Sequence, residues 1–216
     1  MLKFLFMETK IIKVNNASDP IINEAAEIIK AGELVAFPTE TVYGLGANGF
    51  DESACRKIYE VKNRPPIKPL SLMVADFDMI NKIANVIPLA EKLIKKFLPG
   101  PLTLILSKRE IVPDFVTADQ KTVGIRMPDN EIALTLIKAA DCPIAAPSAN
   151  ISGEESPTTA EEVLKSFNKK IPLILDGGTC KFKISSTIID LSGECPIIRR
   201  EGAIDKKILY KVIGGF

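Results

Sequence analysis

The chain has 216 residues, 46% hydrophobic and 25% charged, with a formal net charge of +1. This is the composition of a soluble globular protein with one large domain or two small ones, and it excludes a global basic field for nucleic acid. No apolar run approaches the roughly 20 residues of a membrane-spanning helix. The absence of any histidine excludes a Ser-His-Asp triad, a Cys-His pair and a histidine-ligated zinc.

The opening Met1–Met7 segment is too short for a signal peptide and has no cleavage-type tail. Residues 1–9 are expected to be an N-terminal extension, with Met7 as an alternative start. Ile11–Val14 reads as a first strand. Asp19 and Pro20 then offer a cap and a first helical position. Ile21, Ile22, Ala25, Ile28 and Ile29 keep helical spacing until Gly32 stops the run. Leu34–Phe37 is a short buried strand that ends at Pro38 and opens into Thr39-Glu40-Thr41-Val42-Tyr43-Gly44.

Gly44 to Gly49 spells G-x-G-x-x-G, the dinucleotide-binding pattern. That fingerprint needs its first glycine directly after the strand and an acidic residue about 20 residues further on. Here Pro38 to Tyr43 intervene, and Asp76 comes too late. The stretch is instead expected to be a flexible loop before a helix that starts at Asp51, with Ala54, Ile58 and Val61 on one face.

Lys62-Asn63-Arg64-Pro65-Pro66-Ile67-Lys68-Pro69 holds three prolines and should be extended. Leu70–Ala75 reads as a strand, Asp76–Val86 and Pro88–Phe97 as two short helices, and Pro99-Gly100-Pro101 as a rigid turn before a strand over Leu102–Leu106. Thr122–Pro128 alternates like a strand. Asn130–Ala140 is an amphipathic helix, and Ile144–Ala146 a short strand running into Pro147-Ser148-Ala149-Asn150. A helix over Thr159–Phe167 has acidic residues in its first turn. Leu173–Leu175, Ser186–Leu191 and Pro196–Arg199 read as strands, and Asp205–Ile213 as the last helix. Alternating strands and helices without repeats predict a single α/β domain over residues 1–216. The last two strands are joined too tightly for a parallel crossover, so the sheet should be mixed. The four cysteines, Cys55, Cys142, Cys180 and Cys195, form no C-x-x-C. They are expected as reduced thiols, mostly in the core, in a cytosolic protein.

Four polar clusters follow apolar runs, where α/β sheets bind ligands. They are Thr39–Tyr43, Lys62–Arg64, Arg126 and Ser148–Ser152. In an extended chain Lys62 and Arg64 point to one side and would face one polyphosphate, although loop charges are commonly just solvated. Ser148 and Asn150 repeat the spacing with neutral groups, which suit phosphate oxygens, a base edge or a magnesium shell. They are equally plain turn residues. Arg126 closes a strand and needs an anionic partner, from a substrate or from the protein.

Taken in order, Pro38 to Gly46, Lys62-x-Arg64-Pro65, Pro69-Leu70-Ser71, Pro99-Gly100-Pro101-Leu102-Thr103, Arg126-Met127-Pro128, Ala146-Pro147-Ser148-Ala149-Asn150 with Ser152-Gly153, Ser156-Pro157-Thr158 and Ser186-Thr187-Ile188 resemble the YrdC-like family of threonylcarbamoyl-AMP synthases. The resemblance runs from about residue 10 to residue 213. It implies a twisted open mixed sheet with flanking helices around a large concave basic cavity. It also implies a reaction: L-threonine and bicarbonate form a carbamate, which attacks the α-phosphate of ATP to give threonylcarbamoyl-AMP and pyrophosphate. Downstream threonylcarbamoyl-transferase proteins would then modify tRNA.

By the same resemblance, Lys62, Arg64, Ser148 and Asn150 match the catalytic K-x-R and S-x-N residues that handle the ATP phosphates. Thr122, Ser156 and Arg200 match further ATP-binding positions. Thr39, Arg126, Ala146 and Ser186 match the threonine side, with Arg126 on the carboxylate. Magnesium would bridge substrate phosphates and need few protein ligands.

Three departures stand out. Met73 replaces a frequent histidine, Asn63 a common glycine, and Glu201 a proline in Arg-Pro-Gly. Some relatives carry a further C-terminal domain, which is not expected here. The competing reading is an RNA-binding module of the same fold. It rests on Lys62, Arg64 and Lys68, and lacks an aromatic stacking platform.

Overall fold

The computed structural model describes residues 8–214, so the expected extension lies outside the described residues as far as Met7. Thr9 is buried and tied in. Its hydroxyl donates to Ile171 O at 2.6 Å and accepts from Lys169 N at 2.8 Å. Among the described residues, ten strands form one mixed sheet. In chain order they are β1 (Lys10–Lys13), β2 (Val35–Phe37), β3 (Gly44–Asn48), β4 (Ser71–Met73), β5 (Leu102–Ser107), β6 (Thr122–Arg126), β7 (Ile144–Ala145), β8 (Leu173–Asp176), β9 (Thr187–Asp190) and β10 (Ile197–Arg200). Their order across the sheet is β1-β8-β2-β3-β7-β4-β6-β5-β9-β10. Parallel pairs such as β4–β6 stand beside antiparallel ones such as β2–β3 and β9–β10, so the expected mixed sheet is present.

Helices cover both faces. They are α1 (Ile21–Lys30), α2 (Glu52–Lys62), α3 (Phe77–Ile83), α4 (Pro88–Phe97), α5 (Asp114–Thr117), α6 (Glu131–Ala140), α7 (Ala160–Phe167) and α8 (Lys206–Ile213). Period-two alternation divides the core. Val35 and Phe37 join Ile22, Ile29, Leu136 and Ile137 of α1 and α6 on one face. Leu34 and Ala36 join Ile58, Leu93, Val163 and Leu209 of α2, α4, α7 and α8 on the other. Each such fully buried aliphatic side chain contributes about 1.5–3 kcal/mol before chain entropy is counted. Helix starts follow the local chemistry. Asp51, Asp76 and Asn130 cap α2, α3 and α6, and Thr159 with Glu162 closes a capping box on α7.

Two expectations are corrected. Gly44–Gly49 is not a flexible loop; its first five residues are β3, hydrogen-bonded between β2 and β7. The glycines serve packing, because a Cβ on Gly46 would lie 2.7 Å from the Phe37 ring and 2.8 Å from Ile144 Cγ2. The second correction concerns Lys62, which is the last residue of α2 rather than part of an extended segment. Asn63 ends that helix in the left-handed region at φ 50°, and Arg64 N bonds back to Tyr59 O. This position favours glycine, with asparagine next, which explains why Asn63 can stand where a glycine is common. The short helix α5 has no counterpart in the sequence reading.

Candidate active site

The ends of β3, β4, β6, β7 and β9 surround a cavity of about 360 Å³, a size suited to a small molecule or nucleotide. Its floor is the sheet itself, at the small residues Gly44, Gly124 and Ala146. A Cβ on Gly124 would meet Ser71 Oγ at 2.7 Å, so the cavity exists because these strands are stripped of side chains there. Arg64, Lys68, Arg126 and Arg200 line it, and among the described residues no carboxylate does. Burial lowers the pKa of Arg64 and of Arg200, and for Arg200 the nearby Arg126 adds to the effect. Such a site is short of negative charge and suits anions.

Of the sequence-selected residues, Arg64, Thr122, Arg126, Ala146, Ser148, Ser186 and Arg200 reach this cavity. Asn150 and Ser156 face an adjoining groove that shares Val42 and Ser185 with it. Thr39 and Lys62 lie buried behind the wall.

Lys62 and Arg64 therefore do not converge as an extended pair. The helix end sends them apart. Arg64 turns to the carbonyls of Lys68 and Pro69, with Nη2 2.8 Å from Pro69 O. Lys62 is only 2% exposed. Its Nζ donates to Ser148 O at 2.5 Å and to Asn150 O, and its own carbonyl accepts from Ser152 N at 2.8 Å. The lysine thus staples α2 to the loop that carries Ser148 and Asn150. Burial, with Arg64 adding repulsion, pushes its pKa down to about 7. A neutral amine still has two hydrogens for these two carbonyls. Within the loop, Ser148 Oγ donates to Asn150 Oδ1 at 2.5 Å, and Asn150 Nδ2 donates to Ile151 O and Glu154 O.

Arg126 has its anionic partner inside the protein. Nη2 lies 2.8 Å from Glu40 Oε2 and donates to Thr41 Oγ1 at 2.7 Å and, more weakly, to Thr39 Oγ1 at 3.5 Å. Nε reaches Gly100 O at 3.4 Å. Thr39 Oγ1 is occupied by its own loop, donating to Val42 O and accepting from the backbone of Thr41 and Val42. Sequence reasoning placed Thr39 in contact with substrate and passed over Glu40 and Thr41. The polar run after β2 was visible, but not which hydroxyl the turn would consume. On the β5–β9 side Ser186 Oγ lies 2.8 Å from Thr103 Oγ1, and Arg200 Nη2 donates to Ser186 O at 2.9 Å. Met73 lines the cavity, where an imidazole would have offered a polar contact.

The thiols Cys55, Cys142 and Cys180 are buried and unpaired, and Cys195 is exposed. Burial raises the first three, with Cys55 pushed up to about 12, so they are inert at neutral pH. No described helix is long and apolar enough to cross a membrane.

Fold and cavity together define a mixed α/β protein with a cavity lined by cationic side chains. The Sua5/YciO/YrdC family profile, described as "Telomere recombination", matches residues 27–202. The threonylcarbamoyl-AMP synthase of Pyrococcus abyssi is 50% identical over 194 residues, covering 89% of this chain and 57% of that protein. A putative threonylcarbamoyl-AMP synthase of Methanocaldococcus jannaschii is 43% identical, covering 92% of this chain and 95% of that one. The crystal structure of P. abyssi Sua5 complexed with L-threonine superposes with a TM-score of 0.92 at 48% identity, over 96% of this chain and 62% of that chain. The chain belongs to the Sua5/YciO/YrdC family. It spans less than two thirds of the P. abyssi protein.

Proposed function

We propose that the chain is a nucleotidyltransferase, an L-threonylcarbamoyladenylate synthase that makes threonylcarbamoyl-AMP and pyrophosphate from L-threonine, bicarbonate and ATP. The observation that carries this reading is the cavity lined by Arg64, Lys68, Arg126 and Arg200 with no lining carboxylate among the described residues, in a chain 48% identical to a protein crystallised with L-threonine. All the reacting groups are anions, so catalysis is mainly neutralisation and positioning.

The threonine carboxylate goes to Arg126, beside Ala146 and the Ser186–Thr103 hydroxyl pair. With no carboxylate to hold the ammonium and several cations around it, loss of the amine proton is favoured. The amine then bonds to the bicarbonate carbon as a C–O bond breaks, giving the carbamate and releasing water. A carbamate oxygen bonds to the α-phosphorus as the bond to the β-phosphate bridge breaks, and pyrophosphate leaves. Arg64, Lys68 and Arg200 neutralise the phosphates, Thr122 faces the nucleotide, and Ser148 presents its hydroxyl. Lys62 and Asn150 hold the shape of the Ser148 loop, and Ser156 extends the nucleotide side into the adjoining groove. Selection of threonine over serine rests on one methyl group, worth about 1–3 kcal/mol.

Among the described residues no group of three acidic, cysteine or histidine side chains could hold a metal. Magnesium is therefore assigned to the substrate, as MgATP, and no step runs through a resident ion. The product would pass to threonylcarbamoyl-transferase proteins acting on tRNA, in the cytoplasm.

The test is pyrophosphate release from MgATP. Release should need both L-threonine and bicarbonate and should fall sharply in Lys62→Ala. Release that ignores threonine, or salt-sensitive RNA binding without turnover, would overturn the reading.

A further inference from the structure

Glu40 is buried, and both of its carboxylate oxygens are sealed from solvent without an aligned hydrogen bond among the described residues. Oε2 is nevertheless 2.8 Å from Arg126 Nη2, so the contact is Coulombic and lies off the N–H direction. The direction of the guanidinium is set by neutral groups: Thr41 Oγ1 at 2.7 Å and Gly100 O at 3.4 Å. Nη1 has no partner among the described residues, and Arg126 lines the cavity. The arginine thus has one edge facing an internal anion and one edge left for a ligand. Glu40 itself is held from behind, where its carbonyl accepts from Phe182 N at 2.8 Å.

We infer that Glu40 is a built-in competitor for the substrate carboxylate, a positioning residue that occupies the Arg126 charge and holds down affinity for amino acids. The inference rests on the assignment of L-threonine to this site. A second carboxylate on the free edge of Arg126 sits near Glu40, and two like charges sharing one cation repel. An arginine cannot shed its proton to relieve an uncompensated charge, so without Glu40 the empty wall would bind any small anion. With Glu40 in place, the carboxylate alone gains little. Binding then depends on what else the ligand offers to Ser186, Thr103 and the small-residue floor.

The sign of this effect separates it from a structural role. A residue that merely supports the wall weakens binding when replaced. A competitor tightens binding when its charge is removed. Calorimetric titration of wild type and Glu40→Gln with L-threonine, L-serine and L-threoninol, which lacks the carboxylate, reads it directly. L-Threonine and L-serine should both bind about tenfold more tightly to Glu40→Gln, by the same factor, with threoninol unchanged. Unchanged or weaker threonine binding to a folded variant overturns the inference, and a changed threonine-to-serine ratio assigns the effect to pocket shape and overturns it too. A wild type that binds no threonine overturns the assignment of the site, and this inference with it. Should Glu40→Gln fail to fold, Thr41→Val decides. Freed of Thr41, the guanidinium swings onto Glu40, and threonine binding weakens while threoninol binding is unchanged; unchanged or tighter threonine binding, or an equal loss for threoninol, overturns the inference.

Discussion

Two buried cations stand on either side of the site, and the protein deals with them in opposite ways. Arg126 lies 2.8 Å from a buried carboxylate, Glu40. Among the described residues Lys62 has no acidic partner; its Nζ meets the carbonyls of Ser148 and Asn150, and its pKa drops to about 7. A guanidinium keeps its proton and needs a counter-ion, whereas an amine can lose its charge and keep its hydrogen bonds. The arginine wall is therefore a fixed electrostatic element, and the lysine corner is a titratable staple. One lines the cavity and the other holds a loop.

The largest expected effect breaks the arginine side. Arg126→Ala leaves the buried Glu40 carboxyl without its partner, which costs about 3–5 kcal/mol. Urea denaturation should show a matching fall in the unfolding midpoint, and threonine-dependent turnover should vanish. Removing one partner of an exposed pair such as Lys95–Glu91 should change stability by less than about 1 kcal/mol.

The lysine side should show itself in pH. Folded Lys62 releases its proton near pH 7, while an unfolded lysine holds it to about pH 10.4. Between these values the unfolded chain binds more protons. The burial penalty is fully present below pH 7, and stability from this group rises with pH across the window, by up to about 1.4 kcal/mol per pH unit. Lys62→Met, which keeps the apolar stem, should remove that slope from denaturation curves taken between pH 7 and 10. An unchanged slope would mean that Lys62 is charged in the fold, and the contrast with Arg126 would fail.

The smallest effect sharpens the contrast. Ser148→Ala removes one hydroxyl bond to Asn150, worth about 0.5–1.5 kcal/mol. The staple is made to backbone carbonyls, so the pH slope of Lys62 should survive this change. Loss of the slope would mean that the side chains of the loop, rather than its backbone, set the lysine environment.

Much of this was readable before any coordinates. The α1, α2, α4 and α6 patterns carry their apolar residues at helical spacing, and the caps of α2 and α6, Asp51 and Asn130, are local chemistry. The mixed sheet followed from connection lengths, and Arg126 was marked as needing an anion because a strand end places it against the core. Other features were not readable. β3 carries three of its five residues as glycine or alanine, which argues against a strand by propensity. It forms one because Phe37 and Ile144 fill the space its side chains would take. Lys62 reads as extended beside three prolines, but α2 runs one residue past Val61 to include it, and Asn63 takes the left-handed ending.

Periodicity, caps and turn residues act over a few neighbours, so the alternation of elements, the class of fold and the set of polar residues at strand ends are legible in the chain. Long-range packing settles which of those residues face the cavity, that Glu40 is the anion beside Arg126, and that Lys62 is a staple. Those outcomes depend on which strands come to lie side by side. Residues 40 and 126, or 62 and 148, meet only when a sheet assembled from distant segments brings them within hydrogen-bond reach.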